Sequence, residues 1–107
     1  MKSYNKLVRD KIPEIIKKNG QVAKLRKLDD DEYLNALNHK LEEEVTEYFE
    51  DGSIEELADV MEVVYAIVKH KGLSLDEFEV MRTKKLDERG GFDGRILLVE
   101  VDNRIGE

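Results

Sequence analysis

Residues 40–65 read K-L-E-E-E-V-T-E-Y-F-E-D-G-S-I-E-E-L-A-D-V-M-E-V-V-Y, and this stretch decides the fold. Apolar residues recur on both sides of the Asp51-Gly52-Ser53 sequence at the three- and four-residue spacing of an amphipathic helix. Asp, Gly and Ser are residues that favour turns. The stretch therefore predicts two antiparallel helices with a tight turn at residues 51–53.

Acidic residues flank this turn at matching distances. Glu47 and Glu56 are equally far from the middle of the Asp-Gly pair, and so are Glu44 and Asp59. Residues at equal distances from the turn lie at the same height in an antiparallel hairpin. The register therefore predicts two facing pairs of carboxylates at the edge of the helical core, with Glu43 just beyond them.

Such an arrangement is costly without a cation. Carboxylates about 6 Å apart repel by roughly 2–3 kcal/mol at an effective dielectric near 20. Mg²⁺ takes oxygen ligands and is often completed by substrate phosphates, so it is the natural partner, with Mn²⁺ as a substitute. Two alternatives remain open: the acids line solvated helix faces, or Glu56 closes a capping box with Ser53.

Composition narrows the class of protein. The 107 residues suit a single domain over residues 1–107, and 40% hydrophobic and 40% charged residues fit exposed amphipathic helices. The chain has no cysteine, so disulfides and cysteine metal sites are excluded. A net charge of −7 argues against nucleic-acid binding. We see no signal peptide and no membrane-spanning run, and expect a cytoplasmic protein.

The rest of the chain is predicted to be mainly helical, giving an all-α helical bundle. Helices are expected over residues 11–19, 30–50, 53–72 and 75–88, from capping and glycine signals at their ends. Asp29 and Glu32 resemble a capping box, and Asp10 is a plausible N-cap. The β-prone residues 95–101 predict a small two-stranded ribbon with residues 22–28.

Two groups of basic residues could meet phosphate. Arg9 and Lys11 lie near a predicted helix N-terminus, where backbone amides favour anions. Lys84, Lys85 and Arg89 cluster before Gly90-Gly91. Spacing alone favours surface charge for the first group, and compensation of the helix dipole is the alternative explanation for the second.

These residues together resemble a known superfamily. The pairing of E-E-x-x-E at residues 43–47 with E-x-x-D at residues 56–59 resembles the all-α nucleoside triphosphate pyrophosphohydrolases, which include MazG-like proteins. The sequences Y-N-K-L-V-R-D-K-I-P-E-I-I at residues 4–16 and E-R-G-G-F at residues 88–92 resemble the phosphoribosyl-ATP pyrophosphohydrolase-like subgroup. The gap between the acidic motifs is shorter than in many relatives.

The resemblance implies a Mg²⁺-dependent hydrolase that cuts between the α and β phosphates of a nucleotide. It implies metal ligands at Glu44, Glu47, Glu56 and Asp59, with Glu43 or Glu44 acting on the attacking water. The basic residues become candidate phosphate contacts: Arg9, Lys11, Lys84, Lys85 and Arg89. The alternative is a non-catalytic helical interaction module that keeps a structural or regulatory metal.

The second hairpin helix is apolar over more than one stripe, since Val63, Ala66 and Ile67 extend its hydrophobic surface. A monomer of this size cannot easily cover such a helix. We therefore expect a homodimer or higher homo-oligomer, with a nucleotide as the other partner and no membrane or nucleic acid.

Overall fold

The structure is a computed structural model that describes residues 4–103. Four helices follow one another: α1 (Ile12–Lys18), α2 (Asp30–Asp51), α3 (Ile54–His70) and α4 (Leu75–Arg89). The prediction of a mainly all-α fold is confirmed. Of the described residues, 4–75 form one compact unit and 76–103 form a second.

The first unit is built on a hairpin of α2 and α3, which pack against each other. Only Gly52 and Ser53 separate the two helices, so they run antiparallel. Gly52 adopts a left-handed conformation with φ of 71°, and its amide donates to the Tyr48 carbonyl at 2.7 Å. A side chain would strain this backbone, which explains why glycine ends α2. The turn lies where the sequence predicted it.

The N-terminal cap agrees with the sequence prediction at α2 and differs from it at α1 and α3. Asp29 and Glu32 form the expected capping box at α2. Helix α1 begins one residue later than expected, with Lys11 and not Asp10 at the N-cap. The capping box expected at α3 is wrong: Ser53 makes no cap, and its hydroxyl donates to the Asp51 carboxylate at 2.9 Å. Glu56 is therefore not part of a capping box with Ser53.

The buried face of the hairpin is small. Leu37 on α2 and Val63 on α3 are its buried hydrophobic residues, with 2% and 8% of their surface exposed. Val63 was expected only to extend the hydrophobic surface of its helix, but it is the buried residue of α3. Leu57 and Met61, on another side of α3, remain about 40% exposed. The reason is that α3 is apolar on two sides, and only one of them can meet α2.

The predicted β ribbon is absent from the described residues. Residues 22–28 and 95–101 are both outside any strand. Arg95 has a positive φ of 55°, and its amide bonds the Phe92 carbonyl in a turn, so the second segment does not begin in extended geometry. A two-stranded ribbon is marginal in water, and β propensity by itself does not form one.

We found no helix among residues 4–103 with the length and apolar character that crossing a membrane requires.

Candidate metal centre

Glu44 is the central residue of the candidate site. It lies seven residues after Leu37 on α2. Seven residues rotate the helix by about 20° less than two full turns, so both side chains point toward α3. Only 7% of Glu44 is exposed, and it is the one buried charged residue of the described chain. One of its carboxylate oxygens, Oε2, is shielded from solvent and has no hydrogen-bond partner.

Glu56 is the counterpart of Glu44 on α3. It lies seven residues before Val63, the buried residue of its helix, so the helical repeat points it toward α2. Its Oε2 is also buried without a hydrogen-bond partner. Near the turn, two carboxylates thus occupy the core-facing positions that Leu37 and Val63 occupy farther down.

The carboxylates form two groups that share Glu44. Oxygens of Glu43, Glu44 and Glu47 lie within 4.8 Å of one another, and so do oxygens of Glu44, Glu56 and Asp59. This arrangement brings together all five acids that the sequence singled out. The facing register predicted for the hairpin is confirmed, although Glu44 lies deeper than the edge position expected for it.

The electrostatics of the site disfavour full ionisation. Burial is the main cause that raises the pKa of Glu44, and the Glu47 and Asp59 charges raise it further, while a hydrogen bond from Lys40 partly offsets them. Burial also raises the pKa of Glu56, followed by the charges of Glu47 and Asp59. A bound cation would relieve both effects, because it stabilises the ionised carboxylates.

Three basic side chains already contact the cluster. Lys40 lies 3.4 Å from Glu43 and 3.3 Å from Glu44, at the i,i+3 and i,i+4 positions of α2. Lys6 lies 3.7 Å from Glu43. Arg9 donates to Asp59 at 2.5 Å. When all five carboxylates are ionised, their charge exceeds that of these three cations by two, which a divalent cation would match.

The other predicted site residues have separate positions. Arg9 is at the cluster, but its partner is a carboxylate. Lys11 is exposed at the N-cap of α1. Lys84, Lys85 and Arg89 lie on α4 in the second unit, where Lys84 is 4.0 Å from Glu88. The contacts of Lys40 were not predicted from the sequence, although its spacing from Glu43 and Glu44 is that of a helical ion pair. Lys6 had no such signal, since it contacts the cluster from a distant part of the chain.

Neither histidine joins the acidic groups. His70 packs edge-on against Tyr33 with ring centroids 5.1 Å apart, at the end of the hairpin opposite the turn. His39 lines a shallow depression on α2 next to Glu43 and Glu47, but it is not among the grouped ligands. The candidate centre is therefore a set of oxygen ligands, the type that Mg²⁺ and Mn²⁺ prefer.

Comparisons with known proteins add little to this geometry. No protein-family model matches the chain, and no solved structure matches it. An uncharacterised protein of Mycolicibacterium smegmatis is 56% identical over 41 residues. The match covers 38% of this chain and 42% of that protein, so the chain spans less than half of its relative's length.

Proposed function

We propose that this protein is a Mg²⁺-dependent nucleotide pyrophosphohydrolase, which cleaves the bond between the α and β phosphates and releases a monophosphate and pyrophosphate. The observation that carries the proposal is the pair of buried, unpartnered carboxylate oxygens on Glu44 and Glu56. Buried polar atoms normally have partners, and orphaned ones call for an explanation such as an ion. The resemblance of the acidic motifs to all-α pyrophosphohydrolases supplies the reaction.

The metal ligands in this proposal are Glu44, Glu47, Glu56 and Asp59. The group of Glu44, Glu56 and Asp59 would be the stronger site, because it contains both orphaned oxygens and joins two helices. Mg²⁺ at such a site supplies charge neutralisation for a phosphate and a more acidic bound water. The fold holds the ligands on rigid helices, which keeps their geometry fixed.

Glu43 and Glu44 are proposed to act on the attacking water. Glu43 is partly exposed next to the buried Glu44, and both Lys6 and Lys40 contact its Oε1. Its other oxygen can accept a hydrogen from a water at the edge of the site. Orienting a nucleophile in this way, or taking its proton, is the role of a general base.

Phosphate contacts are proposed at Arg9, Lys11, Lys84, Lys85 and Arg89. Arg9 is the best supported of them, because its guanidinium already lies at the acidic cluster. Its two-pronged geometry suits phosphate as well as carboxylate. The negative charge of a nucleoside triphosphate exceeds what one divalent ion offsets, and the remaining acids of the site also repel it. Basic residues are therefore needed to reverse the local field.

The experiment is a panel of nucleoside triphosphates incubated with the protein and Mg²⁺, with separate detection of pyrophosphate and orthophosphate. We expect pyrophosphate and a monophosphate in equal amounts, and no product in EDTA or with Glu44→Gln. Orthophosphate as the product would refute the position of cleavage. Magnesium binding without turnover of any nucleotide would favour the non-catalytic module.

We also propose that the protein acts as a homodimer or higher homo-oligomer. Leu57 and Met61 remain about 40% exposed on the side of α3 that faces away from α2. Leu37 and Val63 are the buried hydrophobic residues of the described chain. A second copy that packs on this side of α3 would bury it as helices do in a bundle.

A further inference from the structure

The segment before α1 lies against the acidic cluster. Residues 4–9 form neither helix nor strand, yet two of their side chains reach the cluster. Lys6 contacts Glu43, and Arg9 contacts Asp59. Three residues of extended chain span about 10 Å, so Lys6 and Arg9 are far enough apart to contact two different carboxylates.

The two contacts fall on different groups of carboxylates. Glu43 belongs to the group with Glu44 and Glu47, whereas Asp59 belongs to the group with Glu44 and Glu56. The segment therefore places one cation on each group. Leu7, between the two cations, is partly buried. The Arg9 carbonyl accepts a hydrogen bond from the Ile12 amide at 3.0 Å, which connects the segment to the start of α1.

Lys40 cannot move away from the acidic cluster, in contrast to Lys6 and Arg9. It belongs to α2, the helix that also carries Glu43 and Glu44, so it stays near them in any state of the hairpin. Lys6 and Arg9 sit on irregular chain, and more than 40% of each side chain is exposed. Exposed ion pairs of this kind are weak, so a divalent cation can replace them.

We propose that residues 4–9 form an exchangeable strap, whose Lys6 and Arg9 serve as counterions of the acidic cluster until a divalent cation displaces them. The inference rests on the proposed metal site and adds a regulation to it. Displacement frees Asp59 for the metal and releases Arg9 beside the site. The strap and the metal thus compete for the same carboxylates, and each weakens the binding of the other.

The test measures the affinity of the full chain for Mn²⁺ alone, by electron paramagnetic resonance of the free ion. We expect Arg9→Gln and Lys6→Gln each to tighten Mn²⁺ binding about two- to fivefold, the range that an exposed ion pair represents. Lys17→Gln is the matched control. It removes one positive charge from α1, where no ion pair with another described residue involves Lys17, and should change the affinity by less.

A second measurement follows the strap directly. The chain has no cysteine, so Val8→Cys provides a single site for a nitroxide label. We expect the label to become more mobile when Mg²⁺ is added, and to be mobile already in the Arg9→Gln background. Mg²⁺ is diamagnetic and does not broaden the signal.

The outcomes separate the strap from the metal site. If the wild-type protein binds no Mn²⁺, the proposed function fails and the strap with it. If it binds Mn²⁺ but Arg9→Gln matches Lys17→Gln or binds more weakly, the metal site stands and the strap is refuted. An immobile label in the presence of saturating Mg²⁺ also refutes the strap.

Discussion

Replacement of Glu44 by glutamine tests the central physical claim about the site. The carboxylate of Glu44 has carboxylate oxygens of both groups within 4.8 Å, and each such repulsion is about 3.5 kcal/mol at an effective dielectric near 20. Lys40 at 3.3 Å attracts it by about 5 kcal/mol on the same scale. Several repulsions oppose one close attraction, although Lys6 and Arg9 screen part of them.

We therefore expect Glu44→Gln to stabilise the metal-free protein by about 1–2 kcal/mol, since the amide keeps the shape and an acceptor for Lys40 but removes the charge. Each kcal/mol corresponds to a rise of about 4–8 °C in Tm for a domain of this size. The wild-type protein should gain about 2.7 kcal/mol from Mg²⁺ at a hundred times its Kd, and the variant should lose most of that gain.

The assay is calorimetric melting of both proteins in EDTA and in excess Mg²⁺. Glu50→Gln is the control, because it removes the same charge from an exposed position of α2. It should change Tm little and keep the Mg²⁺ response. A lower Tm for Glu44→Gln in EDTA would refute the reasoning, because the pair with Lys40 would then outweigh the repulsion.

Three further outcomes are expected. The pKa values of Glu44 and Glu56 are raised, so the folded protein binds protons more tightly than the unfolded chain. Melting in EDTA should therefore show that the stability of the fold decreases as the pH rises from below the unfolded carboxyl pKa through the raised values. The affinity for Mn²⁺ should increase over the same pH range. Lys85→Ala or Arg89→Ala should lower kcat or raise KM at least tenfold, about 1.4 kcal/mol, with Tm nearly unchanged, whereas a lower Tm with unaltered kcat/KM would assign both residues to helix-dipole compensation. Light scattering at micromolar concentration should give a multiple of 12.4 kDa, and a 12.4 kDa particle would exclude the oligomer.

The sequence by itself determined the hairpin and the acids that meet at its end. The apolar period of α2 and α3 is local information, because it follows from the 3.6-residue repeat of each helix alone. The turn is local as well, since Gly52 can take the left-handed conformation that ends α2. With a two-residue turn the register has little freedom, and this is why the facing of Glu44 with Asp59 could be read from residue numbers.

Only the tertiary structure decided how deep each side chain lies. Helix α3 is apolar on two sides, and the sequence does not show which of them packs on α2, because both satisfy the same helical period. The structure selects the side of Val63, which leaves Met61 exposed and points Glu56 inward. The burial of Glu44 follows from the same packing, and with it the raised pKa and the orphaned oxygen.

The contacts of the N-terminal segment were also beyond the sequence. Arg9 and Asp59 are 50 residues apart, and no local rule pairs side chains at that separation. The ribbon of residues 22–28 and 95–101 failed for the related reason that strand pairing is a long-range interaction. β propensity describes how a residue fits a sheet that other contacts have already assembled, and it does not supply the partner strand.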